Sequence, residues 1–265
     1  MSWPWILLAC VMALALPAAA ASDLAEPTAD AGVLQVSARR ANFKQENASQ
    51  NARKIAQWAI GSQDTQGLPF VIVDKVDAKV FVFDRDGQLL GASPALVGLA
   101  RGDDTVPGIG TRKLSKIRPH ERTTPAGRFV ASLERSLHGD DILWVDYDAA
   151  IALHRVVELP NERRLQRLAS SNPRDRRITY GCINVPLAFF DSIVGATFKG
   201  TTGIVYVLPE VRGLHQVFGY HDAEQNTAAV STRSQAVPHK GALSAGAPAM
   251  EPRARALESA ARLRY

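Results

Sequence analysis

Two β-rich runs, Pro69-Phe70-Val71-Ile72-Val73-Asp74 and Ala78-Lys79-Val80-Phe81-Val82-Phe83-Asp84, flank the short break Lys75-Val76-Asp77. β-Branched and aromatic residues fill both runs, which suits a pleated, half-buried surface. Apolar side chains fall on both parities of the second run, so it is covered on both faces, as in a sandwich or a barrel. Asp84-Arg85-Asp86-Gly87 then turns into Gln88-Leu89-Leu90-Gly91, with the Asp-Gly pair as the hairpin signal. A mainly β fold is expected.

Upstream, Ala52, Ile55, Ala56, Ala59 and Ile60 recur at helical spacing between Ala48 and Ile60, and Gly61 ends the pattern. Trp58 beside them reads as packing. Downstream, the glycine-rich stretch Gly102 to Gly110 lacks the strand-to-helix register of a phosphate cradle and reads as an ordered loop. Thr123-Thr124-Pro125-Ala126-Gly127-Arg128-Phe129-Val130 leads into another strand. Ile142 to Tyr147 and Ala149 to His154 are two more, which places His154 at a strand end. Thr201 to Leu208 is a closing strand ended by Pro209. Residues 155 to 177 form a basic connection whose arginines read equally as a solvated face or an anion-binding lip.

At 265 residues and 46% hydrophobic content, the chain has material for one ordinary domain with extensions. Residues 1–21 have the pattern of a secretory signal: a short apolar core, Pro17, then small residues with cleavage expected near Ala20 or Ala21. The apolar run is too short for a comfortable membrane span, and no stable transmembrane span is expected. Residues 22–66 read as a flexible lead-in and helix, 67–210 as the main domain, and 211–265 as a low-complexity tail expected to be disordered. The formal charge of +5 and pI of 9.4 would suggest nucleic acid in a cytosolic protein. Export points instead to an anionic envelope polymer, in the periplasm or cell envelope.

There are two cysteines. Cys10 lies in the signal, so its removal leaves Cys182 alone in an oxidising compartment, without an internal disulfide partner. Such a thiol is either buried and inert or used. In Ile178-Thr179-Tyr180-Gly181-Cys182-Ile183-Asn184-Val185-Pro186, the proline begins an apolar helical pattern at Leu187, Phe190 and Val194. A helix start favours nearby negative charge, so a lowered thiol pKa is expected. A cysteine nucleophile needs a base. Among His120, His138, His154, His215, His221 and His239, only His154 ends a buried strand, where an imidazole is held in a fixed direction.

Three stretches together resemble the L,D-transpeptidase catalytic domain, also called YkuD-like, over roughly Leu68 to Leu208. Thr124-Pro125-Ala126-Gly127-Arg128-Phe129 matches the family's Thr-Pro-x-Gly-x-Phe segment. His154 precedes the cysteine, as in the family. Thr179-Tyr180-Gly181-Cys182-Ile183-Asn184 resembles the signature of Ser or Thr, His, Gly, Cys, an apolar residue and Asn, with Tyr180 in place of the second histidine. The resemblance implies a β-sandwich of mixed sheets with a short helix after the cysteine. It also implies an enzyme that cross-links peptidoglycan stem peptides in cell-wall organisation.

Within that reading Cys182 is the nucleophile and His154 its base, and backbone N–H groups around Gly181 and Cys182 form the oxyanion site. Tyr180 keeps a hydrogen bond through its hydroxyl. The Arg155 side chain meets substrate carboxylates while its carbonyl orients His154, and Thr179 and Asn184 shape the substrate-binding loop. No metal or organic cofactor and no nucleic-acid partner are implied. L,D-Carboxypeptidase action on the same substrate and a catalytically impaired wall-binding module are the alternatives.

Overall fold

The computed structural model describes residues 40–136 and 139–220. The signal segment, Cys10, His138, His221, His239 and the tail beyond residue 220 lie outside the described residues. The strands are β1 (Phe70–Asp74), β2 (Lys79–Phe83), β3 (Leu89–Pro94), β4 (Val97–Gly98), β5 (Gly127–Arg135), β6 (Asp141–Asp146), β7 (Ile151–Arg155), β8 (Arg177–Thr179), β9 (Ile183–Val185) and β10 (Thr202–Val207). Eight of them form one sheet in the order β3-β2-β1-β10-β5-β6-β7-β9, while β4 pairs with β8. The sheet is mixed, because β1–β10 and β7–β9 are parallel pairs among antiparallel neighbours.

The mainly β, mixed-sheet expectation holds, in the form of one sheet curled towards a barrel. Closure comes from an isolated bridge between Leu96, just past one edge strand, and Asn184 in the other. Each of these two residues donates its backbone N–H to the other's carbonyl, at 2.8 and 2.9 Å.

Alternation along β1, β2 and β10 sorts the core into two layers. Val71, Val80 and Val205 face one cluster, where Phe190, Val194 and Phe198 pack on them. Phe70, Phe81 and Tyr206 face the other, under α1 (Gln50–Gly61). Each such apolar side chain contributes about 1.5–3 kcal/mol when fully buried. Helix α1 has Ser49 as its N-cap, with the hydroxyl accepting from the Ala52 N–H. Trp58 packs edge-on to Tyr206, its ring centroid 6.2 Å away.

The structure corrects two local expectations. Residues 211–220, read as tail, include the helix Leu214–Phe218, whose Leu214 is buried and whose Phe218 packs on the second cluster. The helix expected from Pro186 does start there, at Leu187, but Ile183–Val185 between it and Cys182 form the strand β9, which was not expected from the sequence. This helix, α3, consists of Leu187–Phe189, a π-helical Phe190–Gly195 and Ala196–Phe198.

The basic connection folds as helix α2 (Arg164–Ala169) and a 3-10 turn, Pro173–Arg176. Several of its arginines bind the protein itself. Arg176 donates to the carbonyls of Asp77, Ala78 and Ser170, and Arg177 to Glu210 and to the carbonyls of Lys75 and Ala100.

A buried ionic knot joins the loops at one end of the sheet. Lys75, 1% exposed, donates to Asp103 at 2.9 Å and to the carbonyls of Gly102 and Thr124. Asp103 also accepts the backbone N–H groups of Glu210, Val211 and Arg212. Burial alone pushes the Asp103 carboxyl up, but the Arg212 and Glu210 amides and Lys75 overcome it and hold the group at about 2. Its stabilising effect is therefore present above the ordinary carboxylate range and is lost as pH falls towards 2. Asp103→Ala is expected to cost about 3–5 kcal/mol by leaving Lys75 buried without its hydrogen-bonded counter-charge, with only the carboxylate of Glu210 at 3.8 Å remaining, and three backbone N–H groups without their acceptor. Urea unfolding at pH 7 measures this; a change under 1 kcal/mol would refute it.

Candidate active site

Cys182, Asn184, Ala152 and His154 come together because β7 and β9 are parallel neighbours. The register pairs Leu153 with Ile183 and His154 with Asn184. Leu153 and Ile183 enter the core cluster, whereas alternation sends His154 and Asn184 to the opposite face. Cys182 precedes β9 on that same face, and a backbone hydrogen bond from Ala152 reaches it. Residues far apart in sequence thus share one patch, covered from outside by α2.

The Gly181 backbone positions the cysteine. Its φ of +133° is unfavourable for residues with a Cβ, and a Cβ there would come within 2.6 Å of the Thr123 carbonyl oxygen and of Ile151 Cδ1. The Thr124 hydroxyl donates to the Gly181 carbonyl at 2.8 Å and accepts from the Gly98 N–H at 2.9 Å. The Thr179 hydroxyl accepts from the Gly181 N–H at 3.1 Å and donates to the Cys182 carbonyl at 2.6 Å. Of the two amides expected to serve an oxyanion, that of Gly181 is therefore already engaged. The Cys182 amide is the one left to serve.

His154 is buried, with 3% exposed. Its Nδ1 lies 2.8 Å from the Arg155 carbonyl oxygen, and its Nε2 lies 2.9 Å from the Asn184 amide nitrogen. The Asn184 oxygen in turn accepts from Arg164 Nη1 at 3.2 Å. The half-buried Cys182 thiol donates to the Ala150 carbonyl at 3.7 Å rather than to His154.

Electrostatics follow from the burial. Desolvation pushes the Cys182 thiol up to about 11, and neither the Ala152 hydrogen bond nor the Arg164 charge offsets it. Desolvation also holds His154 down at about 4; its bond to the Arg155 carbonyl pulls the other way, while the charge of Arg164 adds to the lowering. The expected lowering of the thiol pKa does not hold, since desolvation by burial dominates. Thiol and imidazole are both neutral at pH 7, where the thiolate is only about one part in ten thousand.

The other singled-out residues have particular partners. The Tyr180 ring is stacked under the Arg122 guanidinium at 3.9 Å and packs against the core cluster, so it is held by its face rather than by a hydroxyl hydrogen bond. The Arg155 side chain turns to Asp191, with Nε 2.7 Å from the carboxylate, and lies over the Phe190 ring. Substrate carboxylates would have to compete with Asp191 for it. Among the described residues no group of His, Cys, Asp or Glu has the arrangement of a metal site. No helix among them is long and apolar enough to cross a membrane.

Sequence reasoning missed the segment from Gly110 to Arg122. At one end, a Cβ on Gly110 would lie 2.3 Å from the Asp148 carbonyl oxygen and 3.0 Å from the Ala150 nitrogen, so this end packs on the residue that holds the thiol. At the other end, Arg122 stacks on Tyr180 and the Thr123 carbonyl abuts Gly181. Between these anchors Lys113, Lys116, Arg118 and His120 are exposed. The cations are plain in the sequence; the anchoring of the segment's two ends, beside Ala150 and Gly181, is not.

No family model matches this chain, and no curated protein matches it. Among solved structures, the chain is similar to the catalytic domain of E. faecium L,D-transpeptidase, with 17% identity over 53% of this chain and 96% of that one, and a TM-score of 0.33. It is also similar to an L,D-transpeptidase from Xylanimonas cellulosilytica, with 16% identity over 53% of this chain and 60% of that one, TM-score 0.34. A third is the helical cell shape determining protein Pgp2 from Campylobacter jejuni, with 13% identity, 55% and 49% coverage, and a TM-score of 0.34. The chain spans nearly all of the first domain but 60% or less of the two longer chains.

A thiol that ionises near pH 11 has a distinctive reaction profile. The rate of Cys182 alkylation by iodoacetamide is expected to keep rising with pH up to about 11. A plateau reached between pH 6 and 8 would mean that a thiolate–imidazolium pair is already formed.

Proposed function

We propose that this protein is an exported cysteine acyltransferase that forms L,D cross-links between peptidoglycan stem peptides through a Cys182 thioester. The observation that carries the reading is the shared face of β7 and β9. There a cysteine with an available amide lies two residues before Asn184, whose amide meets a buried, neutral imidazole with its Nδ1 held by the Arg155 carbonyl. The motif resemblance around Thr124, His154 and Cys182 supplies the substrate class.

With both groups neutral at rest, the proton moves as the sulfur attacks. Cys182 Sγ adds to the carbonyl of the L,D-peptide bond after the third stem residue, and its proton passes to His154 Nε2, which exchanges the Asn184 amide for the thiol. The Cys182 N–H faces the developing oxyanion, and a well-placed donor contributes about 3–4 kcal/mol. The C–N bond then breaks, the imidazolium returns its proton to the departing D-alanine amine, and the acyl group stays on sulfur. An amine from a second stem attacks the thioester, His154 takes its proton, and the thiol is released with a new amide formed. Water in place of the amine gives carboxypeptidase action. General-base assistance of this kind contributes about 100- to 10,000-fold.

A second reading, a catalytically impaired wall-binding module, is favoured by the raised thiol pKa and by the amide occupying His154 Nε2. Acylation separates the two readings. A carbapenem-type agent is expected to add covalently to the mature protein and not to Cys182→Ala. Purified muropeptides are expected to yield cross-linked dimers. Absence of any adduct on the folded protein would leave only the module, and tripeptides without dimers would make it a hydrolase.

The cations between Gly110 and Arg122 fit the carboxylates of stem peptides. Exposed ion pairs contribute roughly 0.2–1 kcal/mol each. Lys113→Glu, Lys116→Glu and Arg118→Glu combined are thus expected to raise KM for muropeptides about tenfold with kcat nearly unchanged. Steady-state kinetics at low and high salt check this; a variant with unaltered KM at low salt would remove the segment from substrate binding.

A further inference from the structure

Helix α2 places Arg164 under the covering connection with only 5% of its surface exposed. It is firmly held there. The Glu158 carboxylate accepts the backbone N–H groups of Arg164 and Leu165, at 2.9 and 2.8 Å, and so serves the otherwise unpaired start of the helix. Glu162 accepts from Arg164 Nε at 2.6 Å, which leaves Nη1 aimed inward at Asn184.

A guanidinium only donates hydrogen bonds. The Asn184 atom facing Arg164 must therefore be its oxygen, and the atom facing His154 must be its NH2 group. An NH2 group needs an acceptor, so His154 Nε2 carries the lone pair and the ring proton lies on Nδ1. The Arg155 carbonyl accepts that proton at 2.8 Å. The four groups thus form a chain of donors running one way, from Arg164 through Asn184 and His154 to the Arg155 carbonyl.

We infer that Arg164 is a positioning residue: by fixing which way the Asn184 amide points, it adds to the hold that the Arg155 carbonyl has on the Nδ1–H form of His154 and keeps Nε2 an acceptor. This goes beyond the proposed acyl transfer and rests on it only for its purpose, since an acceptor Nε2 is what a base for Cys182 requires. The charged groups that act on the imidazole include Arg164 from α2 and Asp140 from the turn before β6, while β7 presents to it the carbonyl of Arg155. Asn184 from β9 is uncharged.

The test is 15N NMR of His154 in the whole protein, in Arg164→Met, Arg164→Lys and Asn184→Asp, with circular dichroism to check folding. The wild type is expected to show a protonated Nδ1 and a bare Nε2. Without the guanidinium the Asn184 amide is free to turn its oxygen inward. Arg164→Met is then expected to populate the Nε2–H form at least tenfold more and to titrate at higher pH, while Arg164→Lys largely restores the wild-type spectrum. If Arg164→Met does not fold, Asn184→Asp decides: its carboxylate offers only acceptors, so Nε2 is expected to take a proton and give an imidazolium that keeps its Nδ1–H. An unchanged ratio of the two neutral forms in a folded Arg164→Met, or a bare Nε2 in Asn184→Asp, would overturn the inference. None of these spectra requires peptidoglycan, so a failed acyl-transfer assay leaves the result standing, and the reverse also holds.

Discussion

Asn184 is where the fold and the site are joined. Its backbone exchanges two hydrogen bonds with Leu96 and so closes the curled sheet. Its strand position sets it opposite His154. Its side chain links a buried guanidinium to a buried imidazole. At 1% exposure these polar atoms have no recourse to water, so any loss of partner leaves a group desolvated and unsatisfied. Closure of the sheet and orientation of the imidazole are thus one structural condition.

Burial explains the chemistry at rest. The same desolvation raises the thiol and lowers the imidazole, so the two groups rest without a charge pair. A neutral sulfur is also a poor target for oxidants, because sulfenic acid formation follows thiolate character. Cys182 is protected by the same environment that slows its ionisation.

The sheet was legible where the period was clean. Val71 and Val80 against Phe70 and Phe81 gave both faces of the central strands, and Asp86-Gly87 gave the hairpin. The short strands β4, β8 and β9 were not legible, since two or three residues carry no period and their pairing is set by chain closure. The burial of Cys182 was not legible either, and it reversed the expected direction of the thiol pKa. His154 and Asn184 were named from the residues and the resemblance, but the orientation between them was not. It depends on Arg164, which in sequence is one of several arginines in a basic run. The Arg155 side chain was misdirected for a similar reason: its partner, Asp191, lies on a helix that returns to the sheet only in three dimensions.

The parallel pairing of β7 and β9 has a consequence for how such a protein can diverge. Because hydrogen-bonded register sets His154 beside Asn184, the loop that leaves β7 can be lengthened without moving either residue. Two conditions bind any replacement: it must return a cation to the Asn184 oxygen, and it must rejoin the chain before Arg176, Arg177 and Thr179, which fasten the approach to Cys182.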